Sequence, residues 1–131
     1  MNMAKLLTHA TGLLFALYGT AFTFFPIEMA SLVTDGSPST PSGLIDLRAT
    51  YGGMSIAMGA TILVLGSRSE LVSLGLLVVA VVLLAMAGAR ILGMILDGTP
   101  NTVMYIYLAA ELFFAVCALH LRRSVRVHSD D

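Results

Sequence analysis

Charge is scarce in this chain. Only 11% of its 131 residues are Asp, Glu, Lys or Arg, against roughly 25% in an average soluble domain. With 57% hydrophobic residues and a mean hydropathy of +0.90, a soluble globule is excluded. Disorder is excluded as well, because it needs low hydrophobicity and high charge. Seven Lys+Arg against eight Asp+Glu leave a net charge of −1, so no basic surface is offered to a nucleic-acid backbone. One cysteine, Cys117, forbids an intrachain disulfide and says nothing about redox compartment. Trp is absent, so an interfacial aromatic belt must come from Tyr18, Tyr51, Tyr105, Tyr107 and the Phe residues.

What is present is long apolar runs. A bilayer core of about 30 Å takes roughly 20 apolar residues as helix. Four runs qualify, over residues 6–25, 45–65, 71–96 and 102–121, and together they predict a single transmembrane domain over residues 1–131. The first run is too long for a signal-peptide core and lacks a small-x-small cleavage site, so it is expected to stay as a span. The connection over residues 26–43 is long, and its Ile27, Met29, Leu32 and Val33 fit one or two turns of helix on the interface. The other two connections are tight turns. Lys5, Arg68, Arg122, Arg123 and Arg126 fall in the segments that share one face of such a model, whereas Glu28, Asp35 and Asp97 fall on the other. The positive-inside rule then predicts an all-α, four-helix bundle in the inner membrane, multi-pass, with both termini cytoplasmic.

Ionisable groups within spans are costly, at least about 2.5 kcal/mol for Asp, Lys or Arg at mid-helix. Asp46, Arg48, Arg90, Asp97 and Glu111 therefore each need a reason. Glu111 lies about 13 Å into its span and Arg90 about 9 Å from the nearer end, by helix rise, a difference that an Arg side chain bridges. Helical spacing places Arg48, Tyr51, Gly52, Ser55 and Gly59 on one face, and Arg90, Gly93 and Asp97 on another. Glu111 shares its face with Tyr107, Phe114, Ala115 and Ala118. Gly12 and Gly19 lie on a stripe with His9, Ala16 and Thr23. Faces of small residues allow close helix packing in lipid, so Gly12, Gly19, Gly52, Ser55, Gly59 and Gly93 are expected to carry it. Asp46, Arg48, Tyr51, Arg90, Asp97 and Glu111 are expected to form one polar interior.

That interior has two readings. In the bland one, Glu111 pairs with Arg90, or with Arg48, and fixes helix registry. In the sharper one, the cluster lines a cavity that holds a ligand, since intramembrane charge is a functional hypothesis by default. Metal and cofactor sites are not expected. His9, His120 and His128 lie away from Glu111, without the ligand spacing of a zinc or di-iron centre. Ser55 has no His on its helix to act as base. Arg122, Arg123 and Arg126 read most simply as a topogenic stop, with anionic lipid contact as a second use.

The motif Asp46-Leu47-Arg48-Ala49-Thr50-Tyr51-Gly52-Gly53 is distinctive. So are Arg90-Ile91-Leu92-Gly93 with Asp97-Gly98-Thr99-Pro100, then Glu111-Leu112, with Phe25-Pro26 closing the first run. With these motifs the chain, from Leu13 to His120, resembles the bacterial membrane family called domain of unknown function 4345. The resemblance implies a four-helix membrane bundle and no activity. The leading expectation is a membrane protein, not an enzyme, whose charge-paired interior in the outer half binds membrane lipid or an apolar or amphipathic small molecule. A second reading is an accessory or assembly subunit of a larger membrane complex, or a homo-oligomer. A third is an intramembrane isomerase-type enzyme with Glu111 transferring the proton.

Overall fold

The computed structural model describes residues 3–127. His128 and the polar tail after it lie outside the described residues. Five helices follow one another: α1 Met3–Phe24, α2 Pro26–Thr34, α3 Pro41–Ser67, α4 Val72–Leu96 and α5 Thr102–Val127. All but α2 are long and apolar enough to cross a membrane.

Local chemistry sets the boundaries. Pro26 cannot continue α1 without breaking its ladder, but it suits the first turn of a new helix, and α2 starts on it. Asp35 ends α2 in the left-handed conformation, with φ of 58° and its N–H donating to the Ser31 carbonyl. The connection expected over residues 26–43 is thus mostly helix, and Pro26, Ala30 and Val33 are buried along it. Next, the Thr40 side chain accepts from the Gly43 N–H at 3.2 Å, and Pro41 occupies the first turn of α3. With that cap, α3 starts about one turn earlier than apolar content alone places it.

Asn101 does two jobs. Its Oδ1 accepts from the Met104 N–H at 3.1 Å, capping α5. Its Nδ2 donates to the Val33 carbonyl at 3.1 Å and to Asp35 Oδ2 at 2.8 Å, tying α2 to the turn between α4 and α5.

Inside α3, residues Arg48–Gly53 form a π-helical turn. The Met54 N–H donates to the Ala49 carbonyl, five residues back. Such a turn holds one extra residue, which rotates the flanking faces by about 100° relative to a regular helix.

The seam between α1 and α3 is built on glycine at intervals of seven. On α1 these are Gly12 and Gly19; on α3 they are Gly52, Gly59 and Gly66. A Cβ on Gly19 would lie 2.6 Å from the Gly52 carbonyl oxygen, and one on Gly59 would lie 2.5 Å from the Gly12 carbonyl oxygen. A Cβ on Gly66 would collide with Thr8. Backbone thus touches backbone along this seam. Lipid tails are as apolar as Leu, so close approach and dispersion must hold the helices together. Ser55 is half-buried. Gly93 does not belong to any seam, because the nearest contact of an added Cβ would be Asp97, which follows its own helix, at an ordinary 3.5 Å.

α4 and α5 form the second pair. Ile62 of α3, Leu76, Val79 and Ala80 of α4, and Ala115 and Ala118 of α5 are fully buried in one cluster. Large apolar side chains cover much of the perimeter, as a lipid-facing surface requires. At one end, Lys5 of α1 contacts Ser69 of the turn between α3 and α4, and Ala4, Val72 and Val125 pack together. Both terminal helices therefore meet at the same end as that turn.

Gly59→Leu is expected to abolish most of the yield of monodisperse protein, since backbone contact exceeds ordinary overpacking of about 1–3 kcal/mol. Val64→Leu, at a position 58% exposed, should leave yield unchanged. Equal yields on size-exclusion chromatography would show that α1 and α3 do not approach this closely.

Candidate functional site: an ion pair beside a groove

α4 and α5 run antiparallel from the turn over residues 97–101, which sets Arg90 and Glu111 opposite each other. Arg90 Nη2 donates to Glu111 Oε1 at 2.6 Å, and Nε donates to Oε2 at 3.2 Å. This two-pronged geometry matches the planar guanidinium to the carboxylate. Glu111 is 5% exposed, and the Arg90 side chain is 16% exposed. Tyr107, one turn before Glu111, lies with its ring centroid 5.3 Å from Arg90 Cζ, so the cation also rests on an aromatic face. The remaining nitrogen, Nη1, has the Met104 sulfur as its partner at 2.8 Å. A thioether is a weak acceptor, so this donor is poorly satisfied.

Arg90 also forms part of the wall of an open groove of about 320 Å³, with Met94, Met104 and Pro100 as apolar lining and Asp97 and Thr99 as polar lining. A second groove, of about 340 Å³, lies between the end of α1, α2 and α3, lined by Phe22, Ala30, Leu47, Tyr51 and residues 36–38. Both lie toward the end opposite the termini.

The six polar residues expected in one interior are therefore divided. Arg90 and Glu111 meet, and Asp97 shares the groove with Arg90 while remaining exposed. Tyr51 belongs to the other groove and stacks on Phe22, with ring centroids 5.2 Å apart. Arg48 is exposed, and its Nη1 donates to the Thr23 carbonyl in the last turn of α1, where cations suit the negative end of the helix dipole. Asp46 is exposed too, and its backbone carbonyl accepts from Thr50 Oγ1. Arg48 shares the α1-facing side with Gly52 and Gly59, as helical projection has it, but it lies level with the last turn of α1, where it is exposed. Phe114, projected beside Glu111, is exposed and packs edge-on against Phe113.

An aromatic row links the two grooves. Tyr51 stacks on Phe22, Phe22 lies 4.8 Å from Tyr18, and Tyr18 lies 6.5 Å edge-on from Tyr107, which sits beneath Arg90. Tyr18, Phe22 and Met104 escape notice as site residues in the sequence, since nothing separates them from ordinary apolar span residues. Tyr107 carries a faint signal, one turn from the buried carboxylate. Among the described residues no three His, Cys, Asp or Glu side chains converge as a metal site would require.

Removing either partner strands a buried charge, at a cost of roughly 3–5 kcal/mol. Arg90→Met and Glu111→Leu should each show that loss in unfolding by SDS titration from mild detergent. The double variant should recover most of it. Strictly additive losses would mean that the two side chains are not coupled.

No curated protein matches the chain, and neither does any solved structure. A family model does match, over residues 3–121, nearly the whole chain. The chain belongs to the family described as Domain of unknown function (DUF4345).

Proposed function

We propose that this is a multi-pass protein of the bacterial inner membrane, with both termini cytoplasmic, that binds a neutral amphipathic molecule or lipid in the groove beside Arg90. The observation that carries the proposal is the incomplete satisfaction of Arg90. Its fork on Glu111 is closed, but Nη1 has only a thioether partner at the wall of an open groove. A carbonyl or hydroxyl oxygen entering the groove would be a better acceptor than the Met104 sulfur. Charge selects against an acid. Arg90 and Glu111 already neutralise each other, and the Asp97 carboxylate also lines the groove, so an anionic head would add uncompensated charge at low dielectric. The apolar tail would lie along Met94, Met104 and the lipid-facing surface. A proton-transfer role for Glu111 has less support, because both of its oxygens are held by Arg90.

The orientation rests on charge. Lys5, Arg68, Arg122 and Arg123 lie at the end that carries the termini, and Glu28, Asp35 and Asp97 lie on the opposite connections, which the positive-inside rule turns toward the periplasm. In a Cys117→Ser background, an impermeant maleimide should label Gly36→Cys in intact cells, and Arg68→Cys only after permeabilisation. Labelling of Arg68→Cys in intact cells would reverse the orientation.

Native mass spectrometry from mild detergent tests the ligand. The wild type should carry a neutral lipid-like adduct. The Arg90→Met/Glu111→Leu double variant, folded but without the spare donor, should lack it. An unchanged adduct in the double variant, or none in the wild type, would refute binding at this groove.

A further inference from the structure

The end of the bundle that carries both termini gathers hydrogen-bond donors with no anionic partner among the described residues. Lys5 Nζ reaches across to the turn between α3 and α4 and donates to Ser69 Oγ at 2.9 Å. That bond uses one of three ammonium donors and meets a neutral acceptor, so it does not compensate the charge of Lys5. The Ser69 oxygen accepts here, which leaves its own proton to be donated elsewhere. His9 Nδ1 lies 2.6 Å from the Lys5 carbonyl, which can only accept, so this contact places a proton on Nδ1. On the other side of the ring, Nε2 lies 3.4 Å from Ser67 Oγ.

α4 begins in the same turn with no side-chain cap, so its first backbone N–H groups and the positive end of its dipole are open. Arg68 is exposed beside it. At the same end, Arg122 Nε is buried with no hydrogen-bond partner among the described residues, and an orphaned buried donor calls for an acceptor. Arg90–Glu111 is the only ion pair among the described residues, so Lys5, Arg68 and Arg122 have no carboxylate partner there. Glu70, in the same turn, is exposed and makes no ion pair among them.

We infer that this end holds a phosphate group, and that its source is the headgroup of an anionic phospholipid in the adjoining leaflet. Lys5 supplies two ammonium donors, Ser69 its hydroxyl, and Arg68 its guanidinium. The choice of lipid over free phosphate rests on Leu6, next to Lys5, and Leu74, in the first turn of α4. Both are large, apolar and exposed, as contact with acyl chains requires. This site lies at the opposite end from the Arg90 groove and is independent of it.

The test titrates the full chain in mild detergent with phosphatidylglycerol, phosphatidylcholine or inorganic phosphate, read by native mass spectrometry. The wild type should retain phosphatidylglycerol in preference to phosphatidylcholine, and millimolar inorganic phosphate should not displace it. Displacement by inorganic phosphate would support the phosphate site but overturn the lipid source. Lys5→Gln should lower phosphatidylglycerol retention about fivefold, the effect of one basic residue at a membrane surface. Ser69→Ala should lower it without changing charge. Arg123→Gln removes the same charge from an exposed position and should have the smaller effect. Circular dichroism checks that each variant is folded. Equal retention of the two lipids, or equal losses in Lys5→Gln and Arg123→Gln with no effect of Ser69→Ala, would overturn the site.

Discussion

Two opposite charges inside spans have to find each other, and much of this molecule is arranged so that they do. Arg90 and Glu111 lie on neighbouring helices at different depths, and neither is tolerable alone in hydrocarbon. Their fork sets the register of α4 on α5. In that register Ala115 and Ala118, one and two turns beyond Glu111, pack fully buried against α4. Small side chains there let the helices come close enough for the guanidinium to reach both carboxylate oxygens. Tyr107 and Met104, one and two turns before Glu111, then meet the rest of the guanidinium.

The first helix pair has no ion pair among the described residues; its one charged contact is Arg48 on the Thr23 carbonyl at the end of α1. α1 and α3 meet through glycines whose missing side chains bring backbone against backbone. That seam does with dispersion and close approach what the ion pair does with electrostatics. α2 and the Asn101 side chain join the pairs at the end opposite the termini, and the row of Tyr51, Phe22, Tyr18 and Tyr107 crosses between them. The grooves open on either side of this junction, where irregular backbone replaces packed helix.

Much of this was legible in the residues. Span lengths follow from apolar content, and the depth of Arg90 relative to Glu111 follows from helix rise alone. Gly12, Gly19, Gly52 and Gly59 could be recognised by spacing. Gly66 could have been, since it continues the same interval of seven, but it sits at a span end where a glycine reads as a turn. Gly93 had the right type and spacing yet no helix opposite it. The larger miss concerns Arg48. Its helical face is the expected one, but it lies level with the last turn of α1, beyond the packed interior, and is exposed there. No amino-acid pattern reveals that the end of α1 would lie within reach and offer Arg48 a carbonyl.

The central claim is that Arg90 and Glu111 form a closed fork within the bilayer, and solid-state NMR tests it most directly. Protein with ¹⁵N-labelled Arg and ¹³C-labelled Glu, in lipid bilayers, should give a through-space correlation between the Arg90 side-chain nitrogens and Glu111 Cδ. Glu111→Gln assigns it, because the signal should vanish from the Glu region of the spectrum. Absence of that correlation in folded wild-type protein would contradict the pairing and the groove reading built on it.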